Sequence, residues 1–435
     1  MSESRTNASS HRGLSISVAS QAWAAVAALI AFPLLARGLG VVDRGRFALV
    51  LAVSEIGTLL FKMGLPEAAA FCDKEHLANQ RSILRQVRKT SYWLTPVSVA
   101  AGVGAYALIL ENYPTDLRII GSLLVALSPL IDTVNLSRVR LMISRGDARG
   151  IALNTALPNS VLVVGLVALE LVDKITLHGA VIVSICATLT GYLVSVWRIR
   201  TRGQSVDDRV PQLIRFASHT APYSVMEAVN LRLDQIVLPI VAGPAELGVY
   251  AVATSITAPI SRVGLAASAS FYSGIRLSSA DSGATDASLA FRRSSVLILI
   301  ASALAMLLAP PAIYLLAGHQ YHDAIALTVV LSVAWCLFAM AVVAANILGA
   351  LGRPGDASGS QAVGLVITVV LLVPAIKEFG ALGAAFTSLL SYFVRLFYCW
   401  RALKRRGVSA LWPERSDVAW IIDPVRTMAS KLVHR

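Results

Sequence analysis

At 435 residues, with 56% apolar and only 14% charged side chains, the chain lies far from the composition of soluble domains, where about a quarter of residues are charged. A mean hydropathy of +0.68 excludes an ordinary soluble protein. The net charge of +13 is no nucleic-acid signature, because the cations are sorted into loops rather than clustered in a polar domain.

Apolar segments of about twenty residues, enough to cross a bilayer as helices, recur along almost the whole chain. Met1–Arg12 is polar and has no cleavage site after a short apolar core, so no removable signal peptide is expected. Crossings are then predicted at 14–36, 47–71, 91–112, 118–138, 150–171 and 176–197. A stretch with Gly203, Pro211 and an Asp207-Asp208 pair follows as a linker, and a second set is predicted at 213–242, 248–274, 294–317, 323–348, 360–376 and 381–400. The tail 401–435 begins strongly basic and carries Trp412, Trp420, Ile421 and Ile422, an amphipathic anchor or a loosely ordered end.

The two sets repeat each other. Gly40-Val-Val-Asp-Arg-Gly45-Arg-Phe47-Ala48 is echoed by Gly243-Pro-Ala-Glu-Leu-Gly248-Val-Tyr250-Ala251, and Lys62-Met-Gly64-Leu by Arg262-Val-Gly264-Leu. Arg145-Gly-Asp-Ala148 likewise matches Arg353-Pro-Gly-Asp-Ala357. Six crossings per copy bring both copies in from the same side, so the repeats are parallel. The predicted organisation is an N-terminal six-helix bundle over 1–205, a C-terminal one over 206–400 and a cytoplasmic tail over 401–435. With both termini inside, the outer loops hold only Arg37, Arg44, Arg46, Arg118, Lys174 and Lys377, and most of the 38 Lys and Arg face inward.

No Walker loop, zinc motif, kinase signature or Gly-x-Ser-x-Gly elbow is present. His319, His322 and Asp323 share an outer loop and are read as solvated. Cys72, Cys186, Cys336 and Cys399 have neither disulfide nor zinc spacing, and are read as small buried hydrophobes. No cofactor and no enzyme activity are expected.

The charges inside the spans are more informative, since each costs about 2.5–3.5 kcal/mol at a helix centre. In the seventh crossing Tyr223, Glu227, Asn230 and Asp234 follow steps of four, three and four, which makes a polar stripe on one face. Arg232 lies off that stripe, within reach of a neighbouring helix. Transport use of these groups competes with plain ion pairing that holds the bundle together. Lys62 and Arg262 occupy the same place in each repeat, about 22 Å along their helices. Contact with substrate, closure of an inner gate and snorkelling to the headgroups all remain open. Glu55 and Asp132 are candidate proton or sodium sites, with structural pairing as the alternative. Ser388, Ser391, Tyr392 and Arg395 form a further polar face in the last crossing, while Pro158, Pro222 and Pro259 mark places where spans bend.

Leu231-Arg-Leu-Asp234-Gln-Ile-Val-Leu, continued by Ala242-Gly-Pro-Ala-Glu-Leu-Gly248-Val-Tyr250, together with Ala36-Arg-Gly-Leu-Gly40 and Gly45-Arg-Phe-Ala-Leu, resembles the Wzx-type polysaccharide and O-antigen flippases. These belong to the multidrug/oligosaccharidyl-lipid/polysaccharide exporter superfamily. The resemblance covers residues 14–400. It implies an all-α polytopic membrane protein, with two six-helix bundles forming a V around a central cavity and working by alternating access. The implied cargo is an undecaprenyl-diphosphate-linked oligosaccharide, and the implied setting is the bacterial cytoplasmic membrane, beside polysaccharide polymerase or assembly proteins. Arg232, Arg262, Lys62 and Arg395, with Tyr223 and Asn230, are then the substrate-facing candidates. Asp234 matches the family's acidic position, and Glu227, Glu55 and Asp132 join it as coupling or charge-pair candidates for sodium or protons. The lipid II flippase relatives carry two further helices that this chain lacks, which disfavours a peptidoglycan precursor. The rival reading is a cation-coupled multidrug or small-molecule exporter of the same superfamily. A glycan polymerase or ligase expects a sizeable outer loop, and none is found.

Overall fold

The computed structural model describes residues 2–75, 77, 79–109, 115–172, 175–199, 210–264, 266, 280–408, 412–414 and 416–417. Every regular element among them is helical: α1 (Ser2–Lys62), α2 (Leu65–Lys74), α3 (Gln80–Gly104), α4 (Thr115–Ser144), α5 (Ala148–Leu171), α6 (Leu177–Arg198), α7 (Pro211–Val241), α8 (Pro244–Thr257), α9 (Ala280–Ala312), α10 (Ala324–Ala350) and α11 (Pro354–Lys404). Seven described helices are long and apolar enough to cross a membrane. Leu29, Val164, Leu171, Leu307 and Leu315 stand exposed while serines, threonines and charges are buried. That distribution suits lipid as the surrounding solvent.

Two of these helices, at 44 and 50 residues, are each about twice the length a bilayer needs. α1 breaks at Gly40 (φ 69°) and α11 at Gly380 (φ 58°), backbone conformations that glycine adopts at little cost. In α11 the break is a reversal. Ser391 Oγ donates to the Gly364 carbonyl at 2.8 Å, although 27 residues of straight helix would hold the two about 40 Å apart. α11 thus carries the predicted crossings 360–376 and 381–400, and α1 covers 14–36 with the first part of 47–71.

The span predicted at 47–71 is not continuous. It stops at Lys62, turns through Met63 (φ 40°) and Gly64 (φ 73°), and restarts as α2 with Pro66 in its first turn. Proline is tolerated there because the first-turn N–H lacks a helical partner anyway. α3 starts eleven residues before its predicted span, at Gln80, so the basic stretch there is helical. Of the span predicted at 248–274, residues 259–264 continue the helix beyond a turn at Ala258, and most of the remainder lies outside the described residues. So do the linker 200–209 and the tail beyond Asp417.

Packing divides the chain into two units, Met1–Gly248 and Val249–Arg435. In the first, α7 lies against α1 and α2, and Leu65, Ala68, Ile83, Val87, Leu141 and Leu213 form a core at one end. Ion pairs tie that end together: Asp73 with Arg145 at 2.9 Å, Glu67 with Arg140 at 3.3 Å and Asp147 with Arg198 at 2.7 Å. In the second unit, Phe291, Ile298, Ala339, Val343, Leu348 and Leu403 pack α9, α10 and α11 together.

Some local geometry recurs between the units. α3 and α9 each end in a five-residue π-helical turn, Ala105–Ile109 and Ile313–Ala317. The two glycines of the repeated motif meet inside the first unit. A Cβ on Gly45 would overlap the Pro244 carbonyl oxygen, and one on Gly248 the Val41 carbonyl oxygen. The motif that opens each repeat is therefore a backbone-to-backbone contact that only glycine permits.

Candidate functional site

α7 begins at Pro211 and ends against Gly243, whose φ of 93° closes the helix. Between these ends it carries the polar stripe. Asn230 and Asp234 are buried, while Tyr223 and Glu227 are half-buried. Asp234 accepts from the Gln235 backbone N–H at 2.7 Å.

Arg232 turns to the neighbouring α1, where Nη2 meets Glu55 Oε2 at 2.6 Å, and its Nη1 donates to Gln235 Oε1 at 3.0 Å. The pair is 30% and 47% accessible, so both charges stay open on one side. One turn along α1 from Glu55, Thr58 donates to Asp132 Oδ2 on α4 at 3.2 Å and to the Ser54 carbonyl at 3.1 Å. Ser54 and Ser128 are hydrogen-bonded across the same helix pair. Three residues beyond Asp132 on α4, Asn135 accepts from Asn154 Nδ2 at 3.3 Å, and the same amide donates to the Gly191 carbonyl at 2.6 Å, which joins α4, α5 and α6.

Three helices of the first unit therefore bring Glu55, Asp132 and Arg232 into one polar region, while Asp234, two residues from Arg232, points about 200° away around α7. Sequence reasoning named all four but not the Arg232–Glu55 pairing, nor Thr58 and Gln235. Their spacing was a signal: Thr58 is three residues from Glu55 and Gln235 three from Arg232, so each shares its partner's helix face.

The other candidates sit apart from this region. Lys62 is half-buried in the last turn of α1, beside the Gly64 break, and makes no ion pair among the described residues. Arg262 belongs to the second unit and is exposed. Arg395 is wholly buried in that unit, 5.2 Å over the Phe338 ring. Its three guanidinium nitrogens have no hydrogen-bond partner among the described residues. Among the described residues no three His, Cys, Asp or Glu side chains converge as a metal site. His322 meets Asp323 at 3.0 Å on the surface, and His319 packs on Tyr314.

A family model described as polysaccharide biosynthesis protein matches residues 10–272, more than half of the chain. The chain belongs to this polysaccharide biosynthesis protein family. No curated protein sequence matches it. Among solved structures, the lipid II flippase MurJ in an inward closed conformation is similar with a TM-score of 0.68 at 11% identity, covering 89% of this chain and 87% of that one. An inward-facing multidrug resistance MATE transporter of the MOP superfamily gives 0.62 at 16% identity, covering 88% and 96%. A MOP superfamily transporter from Pyrococcus furiosus, described as having a binding pocket of reverse polarity, gives 0.54 at 15% identity, covering 91% and 95%. At such identities the likeness establishes the fold. This polysaccharide biosynthesis protein is accordingly a multi-pass membrane protein with an exporter or flippase fold.

Proposed function

We propose that this protein turns an undecaprenyl-diphosphate-linked oligosaccharide from the inner to the outer leaflet of the bacterial cytoplasmic membrane, by alternating access, for surface polysaccharide export. The observation that carries the reading is Arg232, a partly exposed guanidinium in the predicted seventh crossing of a chain from a polysaccharide biosynthesis family, paired with Glu55 on α1. A diphosphate brings about two negative charges, which a guanidinium fork meets through paired hydrogen bonds. Glu55 keeps Arg232 neutralised between cargoes, and an incoming phosphate competes with that carboxylate. Lys62 and Arg262 are proposed as further contacts along the path, with Tyr223 and Asn230 beside the stripe. Asp234, Glu227 and Asp132 are proposed for charge pairing or for coupling to sodium or protons.

The proposed organisation is two parallel repeats, 1–205 and 206–400, with twelve crossings and both termini cytoplasmic. The sequence echoes and the π-helical turns ending α3 and α9 support it. A second reading, a cation-coupled small-molecule exporter, is favoured by the carboxylates Asp132 and Asp234 among the helices of the first unit.

Deleting the gene and measuring the lipid-linked sugar pool by mass spectrometry, with sidedness read by an impermeant glycosidase, separates these readings. The flippase reading expects a completed diphosphate-linked oligosaccharide trapped in the inner leaflet. An unchanged pool overturns it and moves the exporter reading forward. The same intermediate in the outer leaflet points instead to a polymerase or ligase.

A further inference from the structure

α3 carries Arg81, Arg85 and Arg88 at steps of four and three, hence on one face. α4 runs beside it and adds Val134 and Arg138. With Leu84 these residues line an open cavity of about 200 Å³. A wider hollow of about 450 Å³ continues along α3 past Lys89 to Tyr92 and Trp93. Four arginines converge on the first space, and no carboxylate lines either one. Of the acidic side chains of this end, Asp73 and Glu67 are engaged by Arg145 and Arg140, and Glu75 stands exposed at the end of α2. The Nε and Nη1 atoms of Arg138 are shielded from solvent and have no hydrogen-bond partner among the described residues. Its guanidinium lies 5.5 Å from the centre of the Tyr192 ring.

Two features separate this cluster from an ordinary basic fringe. Orientation by positive charge is served equally well by lysine or arginine, yet the cations lining this open cavity are all arginines, whose planar fork suits phosphate. One turn beyond Arg88, Tyr92 and Trp93 are 70% and 75% exposed. Such amphipathic rings favour the headgroup layer, which puts the cavity at the depth of lipid phosphates rather than in bulk water. A ligand held there is therefore borne on a lipid.

We propose that this arginine cage is a loading site that captures the diphosphate headgroup of a polyprenyl lipid on the inner leaflet, before the lipid reaches Arg232. The inference rests on the flippase reading and on the orientation proposed with it.

The test is undecaprenyl diphosphate binding to the full-length protein in nanodiscs, measured against phosphatidylglycerol and inorganic pyrophosphate. Arg88→Gln/Arg138→Gln is expected to weaken undecaprenyl diphosphate binding at least tenfold, and Arg85→Gln/Arg88→Gln, confined to the exposed face of α3, to do so without disturbing the fold. Arg353→Gln, a charge loss elsewhere, is expected to bind as the wild type does. Unchanged binding in both double variants overturns the inference. So does phosphatidylglycerol binding of equal strength lost through the same variants, which marks a general lipid anchor, or pyrophosphate binding of equal strength, which marks a soluble ligand. If the deletion strain still traps the oligosaccharide in the inner leaflet, such a result removes the cage and leaves the flippase standing. An unchanged pool removes the flippase reading itself, and the loading role with it.

Discussion

Arg232 and Glu55 show how a membrane span tolerates charge. Either one alone costs about 2.5–3.5 kcal/mol at a helix centre, and their contact at 2.6 Å offsets much of that. Removing one partner leaves the other uncompensated. Glu55→Gln is thus expected to lower the thermal stability of the purified protein. Arg232→Gln is expected to abolish export while the protein still inserts, and normal export from it would sink the phosphate-contact role. The exchange Arg232→Glu/Glu55→Arg is expected to restore stability but not export, because the cation then sits on the wrong helix. Restored export would instead make the pair structural. Asp234→Asn is expected to reduce transport and to flatten its dependence on pH or sodium. A variant with wild-type dependence would take Asp234 out of coupling.

At the scale of elements, the ends of the helices matter as much as their faces. Asp147 caps α5 through the Gly150 N–H at 3.1 Å and holds Arg198 at the end of α6. The hydrogen bond from Arg198 holds this carboxyl below its usual range. A depressed folded value means that the stabilisation is present above about pH 3.9, the ordinary aspartate value, and is lost as pH falls through the folded value. Both partners are partly exposed, so the contribution is at most about 1 kcal/mol. Asp147→Asn keeps the cap and removes the charge. Its melting temperature is expected to trail the wild type at neutral pH and to converge with it on acidification. A constant offset would show that the charge is not responsible. Gly45 and Gly248 make the complementary case. Alanine at either site drives a methyl group into a backbone carbonyl, and the expected loss is about 1–3 kcal/mol, read as earlier thermal aggregation on size exclusion. Wild-type stability in both variants would mean that the two motifs separate in the working protein.

For the molecule as a whole, the family match gives a multi-pass membrane protein, and the charge-sorted loops carry the proposal that both termini share the inner side. Reporter fusions after Arg12 and at Arg435 are expected to be active only as cytoplasmic reporters. A fusion at Lys377–Glu378, which the proposed topology puts outside, is expected to behave oppositely. Matching behaviour at all three places would break the proposed topology. α7 packs with α1 and α2 in the first unit although the sequence repeat places it in the second copy. The covalent repeat and the packing unit are thus separate properties, and the linker 200–209 is the connection between α6 and α7.

Much of this was legible in the sequence because hydropathy and loop charge act locally. A run of twenty apolar residues must be helical in lipid wherever it lies, since its own backbone is its only reliable hydrogen-bond partner. The helical class, the approximate spans, the duplicated motifs and the residues Glu55, Asp132, Arg232 and Asp234 could all be read that way. The break at Met63–Gly64 was missed because it falls within a largely apolar stretch and hydropathy does not register backbone dihedrals. What only the tertiary structure decided is pairing between helices: Arg232 with Glu55, Thr58 with Asp132, Gly45 against Gly248, and Arg138 beside Arg81, Arg85 and Arg88. Each joins residues 50 to 203 positions apart, and no periodicity along one helix says which face of another it will meet.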